Sequence, residues 1–120
     1  MADYTPKFLY AEQVTSTASA AITGGQVLVV SGSGTVEPAG DAADITVVGV
    51  AAFDAAVNAQ VGYFPRGKIH VTTTAGAVTA GVGVSAGAAG TVDDDGGSDP
   101  ILGVFLTSAG SGEKAEWMEF

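Results

Sequence analysis

The sequence predicts an all-β fold: a small barrel or sandwich of about six to nine short strands, built from two pseudo-repeats and preceded by an extended N-terminal arm. Three observations predict it. The 120 residues hold 16 Val but only 4 Leu, and β-branched side chains suit a pleated surface while losing rotamer freedom in a helix. Glycine, at 18 residues, stands at about twice its usual ~7% share, which suits a chain of many tight turns. The second half of the chain also repeats the strand motifs of the first.

Residues 1–10 gather Tyr4, Phe8, Leu9 and Tyr10 around Pro6 without helical spacing. They read as an arm whose aromatic side chains dock on a neighbouring subunit, or else as a first strand or a frayed terminus. The arm is set apart from a single β domain over residues 11–120. Residues 11–21, rich in Ser, Thr and Ala, fit a loop or an edge strand. A continuous apolar run at 26–30 follows Gly24-Gly25 and reads as a buried strand. Ser31-Gly32-Ser33-Gly34 turns the chain into Thr35-Val36-Glu37. Residues 45–53 form the next strong strand, and an Ala-rich stretch leads to residues 61–64. Pro65-Arg66-Gly67 is turn chemistry, so 61–64 and 68–74 are expected to form a hairpin or one bent strand. Within 69–74, Ile69, Val71 and Thr73 share one face and His70, Thr72 and Thr74 the other.

The repeat is placed at about residues 22–64 and 78–118. Ile22-Thr23-Gly24-Gly25 matches Val78-Thr79-Ala80-Gly81 at an offset of 56 residues, and Gly34-Thr35-Val36 falls on Gly90-Thr91-Val92 with no gap. Val47-Val48-Gly49-Val50 matches Ile101-Leu102-Gly103-Val104 at an offset of 54, which also sets Tyr63 on Trp117. Each copy is a strand-rich unit unable to bury its apolar face alone, so the two are expected to close on one another.

Composition excludes several chemistries. The formal charge is −9, from 13 acids and 4 bases (Lys7, Arg66, Lys68 and Lys114). Four scattered bases cannot form the cationic stripe that phosphate recognition needs, so no nucleic-acid partner is expected. No run approaches the ~20 apolar residues of a membrane-spanning helix, and the first ten residues lack a signal-peptide layout. A soluble, unprocessed protein made in the cytoplasm is the expectation. Cysteine is absent and histidine occurs once, at position 70, which rules out thiolate metal sites and a multi-histidine site within one chain. His70 lies among threonines and reads as a surface or interface residue. The stretch 81–86 has the spacing of a dinucleotide loop but ends in Ala86 with no helix after it. Asp93-Asp94-Asp95-Gly96-Gly97-Ser98-Asp99 offers oxygen ligands for calcium, yet Ser98 stands where the helix–loop–helix pattern needs glycine, so a solvated turn is preferred. A carboxylate enzyme using Asp54 with Asp93, Asp94 and Asp95 would need one raised pKa, which Gly-rich turns do not supply. No enzyme, metal or cofactor is expected.

Gly25-x-Val27-x-Val29, Gly34-Thr35-Val36-x-Pro38-Ala39-Gly40-Asp41, Val47-Val48-Gly49-Val50-Ala51 and Asp54-Ala55 together resemble the capsid decoration (cement, head-stabilising) proteins of tailed bacteriophages. The resemblance covers about residues 22–106. It implies a structural protein synthesised in the host cytoplasm and carried on the outer surface of the virion's capsid. It would bind there as a homotrimer that bridges subunits of the major capsid protein. An N-terminal segment often adds to a capsid sheet in such families, a role that would fall by position to residues 2–10. A carbohydrate- or host-surface-binding β module of a phage tail or fibre is the alternative, with Trp117, Tyr63 and Phe64 as its stacking candidates.

Overall fold

A computed structural model describes residues 13–41, 46–97 and 99–120. The described residues form ten short strands, one more than the upper end of the expected range, and a single 3-10 turn at Ala88–Gly90. The first five are β1 (Val14–Ala18), β2 (Val27–Gly32), β3 (Thr35–Pro38), β4 (Val47–Ala51) and β5 (Gln60–Pro65). They close into a barrel in the order β1-β3-β2-β4-β5. β1 pairs parallel with β3 and antiparallel with β5, which seals the ring. The second five are β6 (Ile69–Thr73), β7 (Gly83–Ala86), β8 (Val92–Asp94), β9 (Gly103–Phe105) and β10 (Lys114–Glu119). Their order is β6-β10-β9-β7-β8, the same circuit as the first unit. A single parallel bridge, Thr74–Val92, ties its two outer strands together.

The repeat recurs bond by bond. Ile22 bridges Ala55 and Val78 bridges Ala109. The Gly25 N–H donates to Ala51 O at 2.8 Å, and the Gly81 N–H to Phe105 O at 2.7 Å. Asp54 Oδ1 accepts the Gly24 N–H at 2.8 Å, where Ser108 Oγ accepts the Ala80 N–H at 2.9 Å. Gly25 and Gly81 both hold positive φ, 91° and 90°, a left-handed turn that glycine adopts without steric cost. Each structural repeat begins one strand earlier than the sequence motifs, since β1 pairs with β5 as β6 pairs with β10.

The expected hairpin across Pro65-Arg66-Gly67 does not form. β5 pairs with β1 and β4, while β6 pairs with β10. The tripeptide is the crossing between the two units, because each unit needs its own first strand to complete its circuit.

The apolar run of β2 is buried on both faces. Leu28 points into the first barrel with Ala18, Ile22, Val36, Ala51 and Val61. Val27 and Val29 join a larger cluster that holds Val84, Val92, Phe105 and Trp117 of the second unit. Period-two alternation therefore serves two cores at once. A bulge between Leu28 and Val29 shifts the register against β4.

Close strand approach is specified by glycine at one equivalent pair of sites. A Cβ on Gly49 would collide with the Phe64 carbonyl, and one on Gly103 with the Met118 carbonyl. Backbone cannot yield as a side-chain tip can. Gly49→Ala and Gly103→Ala are each expected to lower unfolding stability by roughly 3 kcal/mol in urea titration, whereas Ser33→Ala in an exposed turn should change it little.

Burial also raises the pKa of Tyr63 above its ordinary value of 10.0. The fold favours the neutral phenol, so this contribution to stability is complete below pH ~10 and falls as pH rises through the elevated value. Tyr63→Phe should remove from the alkaline tyrosinate absorbance curve a step that titrates above its ordinary position.

Candidate functional site

The junction between the units carries the chain's most unusual polar chemistry. β6 and β10 run antiparallel with Trp117 opposite His70. Alternation along β10 turns Ala115, Trp117 and Glu119 inward, and along β6 it turns His70 and Thr72 inward. His70 Nε2 lies 3.1 Å from Glu119 Oε1, with both side chains buried. Trp117 Nε1 donates to Thr72 Oγ1 at 3.0 Å. The His70 ring sits 5.2 Å from that of Trp117 and 6.3 Å from that of Phe64, the latter contact crossing between units. Glu119 Oε2 is buried and accepts no hydrogen bond among the described residues. His70 is thus an inward-facing residue of the seam and not a surface one.

The first unit has no such pair. Its equivalent positions hold Val14 and Pro65 beside Tyr63, so the fold accepts apolar groups there and the hydrogen-bonded pair is an addition of the second copy. It locks the last strand: the Glu119 N–H donates to Lys68 O at 2.9 Å, and its side chain reaches the first strand of the same unit. Sequence reading missed Glu119. The signal was its phase with Ala115 and Trp117, which marks it as an inward acid opposite the inward face of 70–74.

A cleft of about 280 Å³ opens along the same junction, lined by residues 23–26, 71–73 and 89–91 and by Lys114. Its walls are fixed across the units by Gln26 Nε2, which donates to Ala89 O at 2.9 Å, and by the Gly90 N–H, which donates to Ala39 O at 2.8 Å. The 3-10 turn leans on the first unit in this way. In the first barrel, the Thr17 N–H reaches Gly34 O and β1 pairs β3 at two positions. In the second unit the matching contact shrinks to the single bridge at Thr74. The cleft occupies the resulting gap, and no aromatic ring lines it.

The acidic stretch from Asp93 is organised by its own backbone. Asp93 Oδ1 accepts the Asp94 N–H, Asp94 Oδ1 the Gly96 N–H and Asp95 Oδ1 the Gly97 N–H, at 2.8, 2.8 and 3.0 Å. These are the side-chain-to-backbone bonds that favour Asp in turns. Among the described residues no three His, Cys, Asp or Glu side chains converge as metal ligands. Trp117 is fully buried and Tyr63 and Phe64 are partly buried, so these three do not make an open stacking platform. The arm residues Tyr4, Phe8, Leu9 and Tyr10 lie outside the described residues.

No family model matches the chain, and no curated protein does either. Among solved structures, the chain is similar to the head fiber gp8.5 N base of bacteriophage phi29. The TM-score is 0.71 at 17% identity, over 90% of this chain and 92% of that one. The two share a fold along nearly their whole lengths.

Replacing one member of the buried pair leaves the other without its partner. His70→Val is expected to cost about 3 kcal/mol of stability. The double variant His70→Val/Glu119→Leu, which copies the apolar character of the first unit, should regain most of that loss. Thermal and urea unfolding of the two variants against wild type checks both statements.

Proposed function

We propose that this chain is a structural protein of a phage head, bound to the outside of the assembled shell. The observation that carries the reading is the likeness, over nine-tenths of both chains, to the base of a phage head fibre. The strand and turn signatures that resemble capsid decoration proteins point the same way. In this reading the protein is made in the host cytoplasm, assembles as a homotrimer, and bridges subunits of the major capsid protein, stabilising the shell. A non-enzymatic role is supported by the seam, where the chain's one imidazole is buried and engaged with Glu119. An acidic surface suits a protein outside the shell, with no contact with the genome.

The similarity to a fibre base favours one second reading, in which the chain is a β module of a fibre that engages the host surface. Sugar stacking gains no support from Trp117, whose ring lies in the core.

The test is sedimentation of the full chain with DNA-filled and empty phage heads, counting bound copies per capsid subunit. A fixed saturating ratio, reduced at least tenfold in affinity when residues 2–10 are deleted, is the expected result; the factor corresponds to about 1.4 kcal/mol. Absence of binding to heads, with binding to host cells instead, would replace the decoration role by the fibre module.

A further inference from the structure

The two units close differently at one place, and the difference leaves backbone groups unpaired. In the first barrel the Thr17 N–H donates to Gly34 O at 3.3 Å, and Ser16 Oγ donates to the same oxygen at 2.8 Å. Thr73 and Gly90 are the counterparts of Thr17 and Gly34, as the matched bridges Ala18–Val36 and Thr74–Val92 establish. No bond joins Thr73 to Gly90. The Thr73 N–H nevertheless points away from β10: Thr74 donates to Glu113 O and Glu119 to Lys68 O, so the even-numbered residues of β6 bond β10 and the odd-numbered backbone groups face the other way. Among the described residues the Thr73 N–H has no acceptor, and the carbonyl of buried Gly90 has no donor. Native structures rarely leave such groups without a partner. Both residues line the cleft of about 280 Å³, in which Lys114 is the one charged side chain. Its wall is also strained. Ala89 holds φ 55° and ψ 39°, a left-handed conformation that costs a residue with a Cβ, and Gln26 Nε2 fixes its carbonyl there. Strain of this kind gathers at ligand sites.

We propose that this cleft receives the carboxyl-terminal end of an extended chain from a protein partner. The site goes beyond the role on heads proposed above and stands or falls without it. Its chemistry selects the occupant. A terminal carboxylate accepts from the Thr73 N–H and pairs with Lys114, which forms no salt bridge among the described residues. The amide N–H of the same terminal residue supplies the donor that Gly90 O lacks. Bonds to an ionised carboxylate are the stronger kind, and backbone groups that capture a chain end are a recurring mode of peptide recognition. A bare anion would satisfy the donor and the cation but set its charge against the Gly90 carbonyl. The Thr74–Val92 bridge closes the cleft beside Thr73, which pairs with Lys114. A chain entering along β6 must therefore end there, which selects a terminus over an acidic residue in mid-chain. In a protein of formal charge −9, a cation at that stop is what admits a negative chain end.

The experiment is an NMR titration of the isotope-labelled full chain, following backbone amides. The probes are N-acetyl-trialanine with a free carboxylate, the same peptide as its terminal amide, and acetate. The free acid is expected to shift the Thr73, Gly90 and Thr91 amides saturably. The terminal amide and acetate should each bind about tenfold more weakly, the first for want of the charge and the second for want of the peptide N–H. Lys114→Gln, a change at an exposed side chain, should bring the free acid down to the affinity of the amide while the remaining resonances stay in place. No saturable shift with the free acid would overturn the proposal, as would equal binding of the terminal amide or indifference to Lys114→Gln. Acetate binding as tightly as the peptide would overturn it in favour of a simple anion site.

Discussion

Strand β2 must bury both of its faces, and the architecture follows from that demand. Val27 and Val29 on one side and Leu28 on the other leave no polar face to give to water. A five-stranded barrel can enclose only the Leu28 side. The other side needs a second body, which the second repeat supplies through Val84, Val92, Phe105 and Trp117. Apolar burial of this kind scales with area and has no direction, so it holds the units together without fixing their angle. Directional bonds do that: Gln26 to Ala89 and Gly90 to Ala39 cross the seam as hydrogen bonds.

Duplication explains what is shared and divergence what is not. Turn bonds, the left-handed glycines and the close approach at Gly49 and Gly103 recur because each is backbone geometry that the circuit cannot close without. Side chains that do not close the circuit were free to change. One change placed the hydrogen-bonded His70–Glu119 pair where the first unit has Val14 and Pro65. Another drew the 3-10 turn toward the first unit, reducing the closure of the second to one bridge and opening the cleft. A buried pair gives little net stability against an apolar replacement. Its effect is to hold the end of β10 against β6.

Much of this was legible in the sequence, and the illegible parts have physical causes. The all-β class followed from β-branched richness, and the matched turns followed from Gly25, Gly34, Gly81 and Gly90, which hold positive φ. Alternation over 69–74 separated exposed Ile69 and Val71 from buried His70 and Thr72. What could not be read was pairing. Pro65-Arg66-Gly67 has the same local chemistry whether the chain folds back as a hairpin or crosses to a new unit, because turn residues fix φ and ψ but not the strand that follows. The equivalence of the two first strands escaped because Val14–Ala18 and Ile69–Thr73 share little beyond threonine. Glu119 escaped because charge masked its inward phase. The arm proposed from Tyr4, Phe8, Leu9 and Tyr10 lies outside the described residues.

The division of surfaces between the units bears on how such a chain can serve in an assembly. The outer side of β2 in the first unit is committed to the seam, and its remaining side strands present Gln13 and Thr15 to water. In the second unit Trp117 and Phe105 close the interior, and Ile69, Val71, Leu106, Met118 and Phe120 stand exposed. A single unit could not do both, since a strand apolar on both faces must be covered on both. Two copies of one circuit can, one supplying the buried joint and the other an exposed apolar face. A protein built in this way gains stability by mass action whenever that face is covered. That suits a chain whose small Val- and Ala-rich cores leave room for a further contribution.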